Sequence, residues 1–343
     1  MTAGEVREQA VAAPAAPPPA HRDVAGSLRG VAERYGVIVA WIAVIVVFSV
    51  LRPDTFATMS TVRLILSTQT VILLATLGLM LSLAVAEYDL SIGAIVGFGG
   101  TLLAVLNGVQ GWQTWAAVVV TLVVCMLFGV LNAVLSVYVG VQSIIVTLGT
   151  GTLLAGLTLA VADSKVVTGL STELVTAMTK PLLFSIPAPF YAGLLLTAVL
   201  WFLLQHTPLG RRMVFVSENR EVARLAGLRV KRIRAGALVV TATLGGLAGI
   251  VLAGTNGAAN PQVGSSYLLP AFAAAFLGST ALIPGRFNAW GSFVAVYFLV
   301  TGITGLQYLG YAGWPEQVFY GSSLVIAVTL SHLAGRRRLS GLG

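Results

Sequence analysis

Charge is what this sequence has least of. Only 9% of its 343 residues are Asp, Glu, Lys or Arg, against roughly 25% in ordinary soluble domains. A soluble chain of this length could not cover its surface with so few charges. Cysteine is nearly absent too: Cys125 stands alone, so neither a disulfide nor a multi-cysteine metal site is available. Histidine occurs three times, and no metal site is expected. Inside the apolar runs the lack is sharper, because His332 is the one Asp, Glu, Lys, Arg or His they contain. Carboxylates and histidines within a membrane usually mark proton relays. Their absence argues against a proton-driven symporter.

What is abundant is apolar. Hydrophobic residues make up 57% of the chain and the mean hydropathy is +0.92, which defines an integral membrane protein of the all-α, polytopic class. Ten runs can be marked: 36–51, 64–86, 90–106, 115–141, 144–162, 190–204, 235–254, 267–283, 289–309 and 317–334. About 20 helical residues cross a ~30 Å hydrocarbon core, so most runs suffice, and 190–204 is expected to borrow residues from 181–189. The 38 glycines, as in "LGGLAGIVLAG" at 244–254, suit close helix–helix approach.

Ten spans would put both termini on one side. If that side is cytoplasmic, sixteen of the 20 cations fall inside and four outside, the latter Arg52, Arg63, Lys165 and Lys180. That asymmetry is the one expected of cytoplasmic loops. It also accounts for the net charge of +8 without a nucleic-acid partner. Residues 1–34, with the Pro/Ala tract "VAAPAAPPPAH", are expected to be a disordered cytoplasmic tail. The membrane domain is expected over 35–335, with a cytoplasmic loop at 206–235, and a basic tail closes the chain at 336–343. The first run reads as an uncleaved span.

Residues 211–234, "RRMVFVSENREVARLAGLRVKRIR", concentrate eight cations and two acids. Ser217 or Asn219 can cap a helix, Glu218 and Glu221 suit its first turn, and Gly227 is a natural stop. Val222, Leu225 and Ala226 form a small apolar face. A short helix of this kind, standing clear of the membrane, is shaped to fit a groove on a partner. Elsewhere the uncharged polar residues Gln69, Asn132, Gln142, Thr147, Asn260, Gln262 and Gln307 suit either a path for a neutral, hydroxyl-rich solute or plain interhelical hydrogen bonding.

With these motifs in hand, the chain resembles the permease subunits of ATP-binding-cassette sugar importers of the ribose/xylose type, over roughly 64–333. "ENREVARLAGLRVKRIR" resembles that family's Asn-Glu-x-Ala-x-x-x-Gly coupling segment, with Glu221, Ala223 and Gly227 on matching positions. "YDLSIGAIVGFGG" at 88–100 resembles its Asp-Leu-Ser-x-Gly motif, and "IIVTLGTGTLLAGL" at 144–157 its Phe-Ile-Val-Thr-Leu-Gly span. "TPLGRRMVFVSEN" and "YLGYAGWPEQVFYGSSLVIAV" fit its corresponding loop and last span. The resemblance implies two permease copies in a bacterial cytoplasmic membrane, cassette ATPase subunits beneath them and a sugar-binding protein outside. The chain lacks a Gly-x-x-x-x-Gly-Lys-[Ser/Thr] phosphate loop, so ATP and Mg would belong to the ATPase subunit and this chain would be no enzyme. Coupling would fall to Glu218, Asn219, Glu221, Val222, Ala223, Leu225 and Gly227.

Two departures stand out. Ala86, Glu87 and Tyr88 replace a common Gly-Gly-Ile, and "IPGRFNAWG" at 283–291 keeps only Gly285 and Arg286 of a Gly-Gly-Arg-Gly turn. Asp89, Ser91, Asn132, Gln142, Thr147, Asn260 and Gln262 are the candidate pathway or gate residues, although Asp89 or Ser91 would equally cap a helix starting at Leu90. "ATLG" occurs at 75–78 and 242–245, compatible with an inverted repeat of two four-to-five-helix halves. The outer segments 161–189 and 256–266 are the expected platform for a binding protein. The same architecture moving an autoinducer, a nucleoside or a branched-chain amino acid stays open, as do a secondary carrier and a polytopic membrane enzyme.

Overall fold

The computed structural model describes the backbone of residues 24–340 and the side chains of 34–329. The Pro/Ala tract and the side chains of the C-terminal arginines lie outside the described residues. The chain is helical almost throughout: α1 (Val24–Leu51), α2 (Met59–Thr68), α3 (Thr70–Leu83), α4 (Ile92–Ala104), α5 (Thr114–Ala133), α6 (Ser143–Val161), α7 (Thr172–Thr179), α8 (Ala188–His206), α9 (Pro208–Glu218), α10 (Arg220–Leu225), α11 (Val230–Asn256), α12 (Leu268–Thr280), α13 (Ala289–Tyr308) and α14 (Trp314–Ser340). Among the described residues the two strands are two residues each, β1 (Val167–Thr168) and β2 (Ala258–Ala259). α1 starts inside the segment expected as disordered tail, and α8 extends the short 190–204 run at both ends.

Among the described residues, eight helices are long and apolar enough to cross a membrane, or nine if the bent pair α2–α3 counts as one span. Ten were expected. The tenth run, 317–334, falls on α14, and the side chains of its last residues lie outside the described ones. The run 64–86 is not one straight helix either: α2 and α3 meet at Gln69 with a 43° bend. The polar triplet Thr68-Gln69-Thr70 explains the break, since Gln69 Nε2 donates to Thr68 Oγ1, whose own hydroxyl donates to the Leu64 carbonyl. Side chains that bond the local backbone compete with the helical ladder.

Hydrophobicity cannot decide which helices sit centrally, because lipid is as apolar as leucine; small residues decide. α3 is buried at all but one of its residues, and among the unbent spans α4, α11 and α13 are the most buried. Gly246 of α11 lies against Cys125 of α5, and Gly249 against the α4 backbone at Val96 and Gly100. The two "ATLG" copies meet across α3 and α11, where Thr241 Oγ1 donates to the Gly78 carbonyl at 2.7 Å. Around this centre α1, α5, α6 and α8 turn apolar side chains outward, among them Val39, Val119, Leu148 and Leu195, a surface suited to lipid.

Candidate functional site

The loop between α8 and α11 folds into two helices. Thr207 caps α9, its Oγ1 accepting the Leu209 amide. The chain then leaves the helix at Asn219, which is extended (φ −154°) and caps α10: its Oδ1 accepts the amides of Glu221 at 3.0 Å and Val222 at 3.1 Å. The other end closes on Gly227 (φ +79°), with Gly227 N–H donating to the Arg224 carbonyl and Leu228 N–H to that of Ala223. This paired closure satisfies the last carbonyls of a helix. A six-residue helix has little stability of its own, so these two ends hold it. One sequence expectation changes, and the choice between Ser217 and Asn219 as cap falls to Asn219. Glu218 ends α9 and is not in the first turn of α10, and Ser217 donates back to Val214 instead of capping. Ala223 is buried, whereas Val222, Leu225, Ala226 and Gly227 are exposed, Leu225 at 77%. The apolar face lies open, flanked by the surface pair Glu221–Arg224.

Directly under α10 runs the linker 84–91 between α3 and α4. Ala86 adopts φ +56°, a conformation cheap for glycine and strained for alanine. That explains why glycine suits the position. The next residue, Glu87, is 1% exposed, and its Oε1 accepts from Arg220 Nη2 at 2.8 Å and Arg234 Nε at 2.5 Å. Arg220 also donates to the Ala86 carbonyl. Sequence reasoning noted Glu87 as a departure but missed this cluster, whose partners lie 133 and 147 residues away.

Four of the candidate pathway residues come together next to it. Asp89 Oδ1 accepts from the Ser91 amide and hydroxyl; Asn132 Nδ2 donates to Ser91 Oγ, and Thr150 Oγ1 to Asn132 Oδ1. Thr147 Oγ1 receives the Leu90 amide and donates to the Tyr88 carbonyl. Asp89, Ser91, Asn132 and Thr147 are each fully buried. Asp89, Ser91 and Asn132 are bonded in series, and Thr147 holds the backbone of the linker beside them. Asp89 serves Ser91 alone, and Ser91, at the cap position of α4, makes no side-chain cap bond. Gln142, Asn260 and Gln262 are exposed and lie apart from this network.

Burial raises Asp89, outside the spans, from 3.8 to about 6, its bonds from Ser91 offsetting only part of that cost. Its Oδ2 has no partner among the described residues. Because the folded protein binds this proton more tightly than the unfolded chain, the stabilisation is full below pH 3.8 and is lost as pH rises through about 6. Asp89→Asn should therefore melt higher than wild type at pH 7, by on the order of 3 kcal/mol at about 1.4 kcal/mol per unit, and transport nearly normally. Melting both proteins in detergent from pH 4 to 7 checks this; a gap that stays constant with pH would refute it.

At the other end of the spans, β1 pairs antiparallel with β2, Val167 opposite Ala259, so the two outer segments singled out in the sequence form one surface. Asn107 Oδ1 fixes the Ser171 amide, and Trp115 Nε1 donates to Glu173. Asn260 flanks a cavity of about 60 Å³ together with Asn256, and Gln262 lines an otherwise mainly apolar groove of about 400 Å³ between α4 and α6. A separate cleft of about 250 Å³ opens beside the α2–α3 bend, with Gln69, Tyr267, Thr304, Gln307, Glu316 and Tyr320 on its walls. Of these, Tyr267, Thr304, Gln307, Glu316 and Tyr320 spend no side-chain hydrogen bond on other described residues.

A membrane-crossing helical bundle with a capped helix exposed at one end and a polar cleft at the other has the build of a transporter's membrane subunit. The comparisons agree. The chain belongs to the family described as branched-chain amino acid transport system / permease component, which matches residues 61–328. It is similar to the D-allose transport system permease protein AlsC of Escherichia coli (28% identical, 89% of this chain and 93% of that one). The ribose import permease protein RbsC of Bacillus subtilis is 30% identical over 88% of this chain and 93% of its own. The autoinducer 2 import system permease protein LsrC of Photorhabdus laumondii is 31% identical, with coverage of 84% and 86%. No solved structure matches the chain.

Proposed function

We propose that this chain is the permease subunit of an ATP-binding-cassette importer that brings a monosaccharide of the ribose or allose kind across the bacterial cytoplasmic membrane. The observation that carries the mechanism is α10, capped at both ends and exposing Val222 and Leu225. It is the docking element for a cassette ATPase subunit, which holds ATP and Mg. Glu221 and Arg224 border that contact, and Asn219 and Gly227 set its shape; Glu218 supports it from the end of α9. Two copies of the chain form the path, with both termini cytoplasmic, as the sixteen-to-four cation split favours. A binding protein docks on the outer surface made by 161–189 and 256–266, with Asn260 and Gln262 at its edge.

The solute enters by the cleft beside Gln69. Hydroxyls, the Gln307 amide and a carboxylate left free for a ligand, together with two tyrosine faces, suit a neutral polyol. Asp89, Ser91, Asn132 and Thr147 form the closed inner end, and Gln142 has no part. The test is uptake of labelled D-ribose and D-allose, with autoinducer 2 as competitor, into proteoliposomes holding the permease, its ATPase subunits and its binding protein. Uptake that requires ATP and the binding protein is expected. Equal uptake by the permease alone, without ATP, would make it a carrier or channel.

A further inference from the structure

We propose that Glu87 is the positioning residue through which movement of α10 reaches the membrane-spanning helices. This rests on the docking role given to α10 above and adds the route that leads away from it. α10 is poorly anchored by packing, since Ala223 is its one buried side chain. Its side-chain hydrogen bonds to the rest of the molecule, among the described residues, run through Arg220, to the Ala86 carbonyl at 2.9 Å and Glu87 at 2.8 Å. The same Glu87 oxygen is held by Arg234 of α11. One carboxylate oxygen thus ties together the docking helix, the longest central span and the linker.

From Glu87 the linker has no slack. The Glu87 amide donates to the Ser82 carbonyl at the end of α3. The Tyr88 amide donates to Ser143 Oγ, and the Tyr88 carbonyl and Leu90 amide are both bonded by Thr147, placing two successive contacts on α6. Asp89 and Ser91 follow, leading through Asn132 to α5 and through Thr150 back to α6. A displacement of α10 therefore shifts the start of α4 and the cytoplasmic ends of α5 and α6 together, along one contiguous chain of bonded groups. A carboxylate at 1% exposure keeps its charge at low cost only while its cations stay in contact. Losing Arg220 would be penalised, so linker and helix travel as a unit.

The experiment measures solute moved per ATP hydrolysed, with uptake and phosphate release followed together in proteoliposomes of the full complex. If the wild-type complex takes up neither labelled D-ribose nor D-allose, the transport reading above is what has failed, and Glu87 is not at issue. With an active wild type, Glu87→Gln should leave the ATPase subunits bound in a pull-down and lower the solute-to-ATP ratio at least tenfold. Arg220→Gln, which leaves Arg234 to neutralise the buried Glu87, should lower it similarly while the protein still folds. The double variant should lose no more than the worse single one, as expected of two groups on one route. A Glu87→Gln protein with reduced yield and melting temperature but a wild-type ratio in the surviving complex would reduce Glu87 to a fold-holding residue and overturn the proposal. Release of the ATPase subunits, or losses that multiply in the double variant, would overturn it as well.

Discussion

Leu225→Asp should strip the ATPase subunits from the complex and abolish ATP-driven uptake while the membrane part stays folded. Leu225 is 77% exposed and packs against nothing that its removal would leave empty, and surface substitutions of this kind ordinarily change stability by about 0.5 kcal/mol or less. In the docked complex, by contrast, the same side chain would sit at the centre of a small apolar contact with Val222 beside it. Central apolar anchors carry about 2 kcal/mol or more each, and an unpaired carboxylate buried in their place costs further. A loss of 100-fold or more in ATPase affinity is expected. Titrating the ATPase subunit onto detergent-purified permease measures it, with the melting temperature of the permease alone as control. Asn219→Ala is the graded companion. It removes the oxygen that holds two α10 amides, which is worth about 1 kcal/mol in a helix cap, so it should weaken docking roughly five- to tenfold. If Leu225→Asp binds the ATPase as tightly as wild type does, α10 is not the docking element.

That helix was legible in the sequence for a physical reason: its determinants are local. A cap, two charges and a glycine stop lie within ten residues, and each acts on its neighbours along the chain. The assignment slipped by one element only where two helices abut, giving Glu218 to α10 although it ends α9. The apolar runs were legible for the same reason, since length and hydropathy are properties of a window. What a window cannot hold is the break at Gln69, because a polar triplet inside a greasy run reads as tolerable until side chains are seen taking over backbone acceptors. Nor can it hold Glu87. Two arginines more than 130 residues away explain a buried acid that otherwise looks like a stray departure. Asn288 was missed on similar grounds: its amide spans the carbonyls of Gly278, Ala281 and Arg286 while its Oδ1 caps α13, and only the cap is a local signal. For the polar residues read as either a solute path or interhelical bonding, sequence alone left both open. Asn132 and Thr147 were chosen by chemistry alone, and only the fold shows that both are buried with bonded partners.

Gly249→Val should prevent the permease from accumulating in the membrane at all. The expectation is contrary in sign to the usual rule, by which replacing a mid-helix glycine with alanine gains up to about 1 kcal/mol. Here even one added carbon has nowhere to go. A Cβ on Gly249 would lie 2.3 Å from the Val96 carbonyl oxygen and 2.7 Å from the Gly100 amide nitrogen. Both are backbone atoms of α4, so no rotamer change can make room, and the two helices must part. α4 and α11 are the centre on which the other helices pack, and the start of α4 carries Ser91 and its bonds to Asp89 and Asn132. Overpacking in a rigid core costs about 1–3 kcal/mol where side chains can yield, and more is expected where they cannot, against a total stability of about 5–15 kcal/mol. Gly249→Ala should already lower the melting temperature clearly, with valine worse. The control is Gly156 of α6, where nothing lies within 4 Å of an added Cβ; Gly156→Ala should be neutral or mildly stabilising. Membrane yield and melting temperature of the three variants decide the matter: if Gly249→Ala behaves like Gly156→Ala, the close α4–α11 contact does not exist in the membrane.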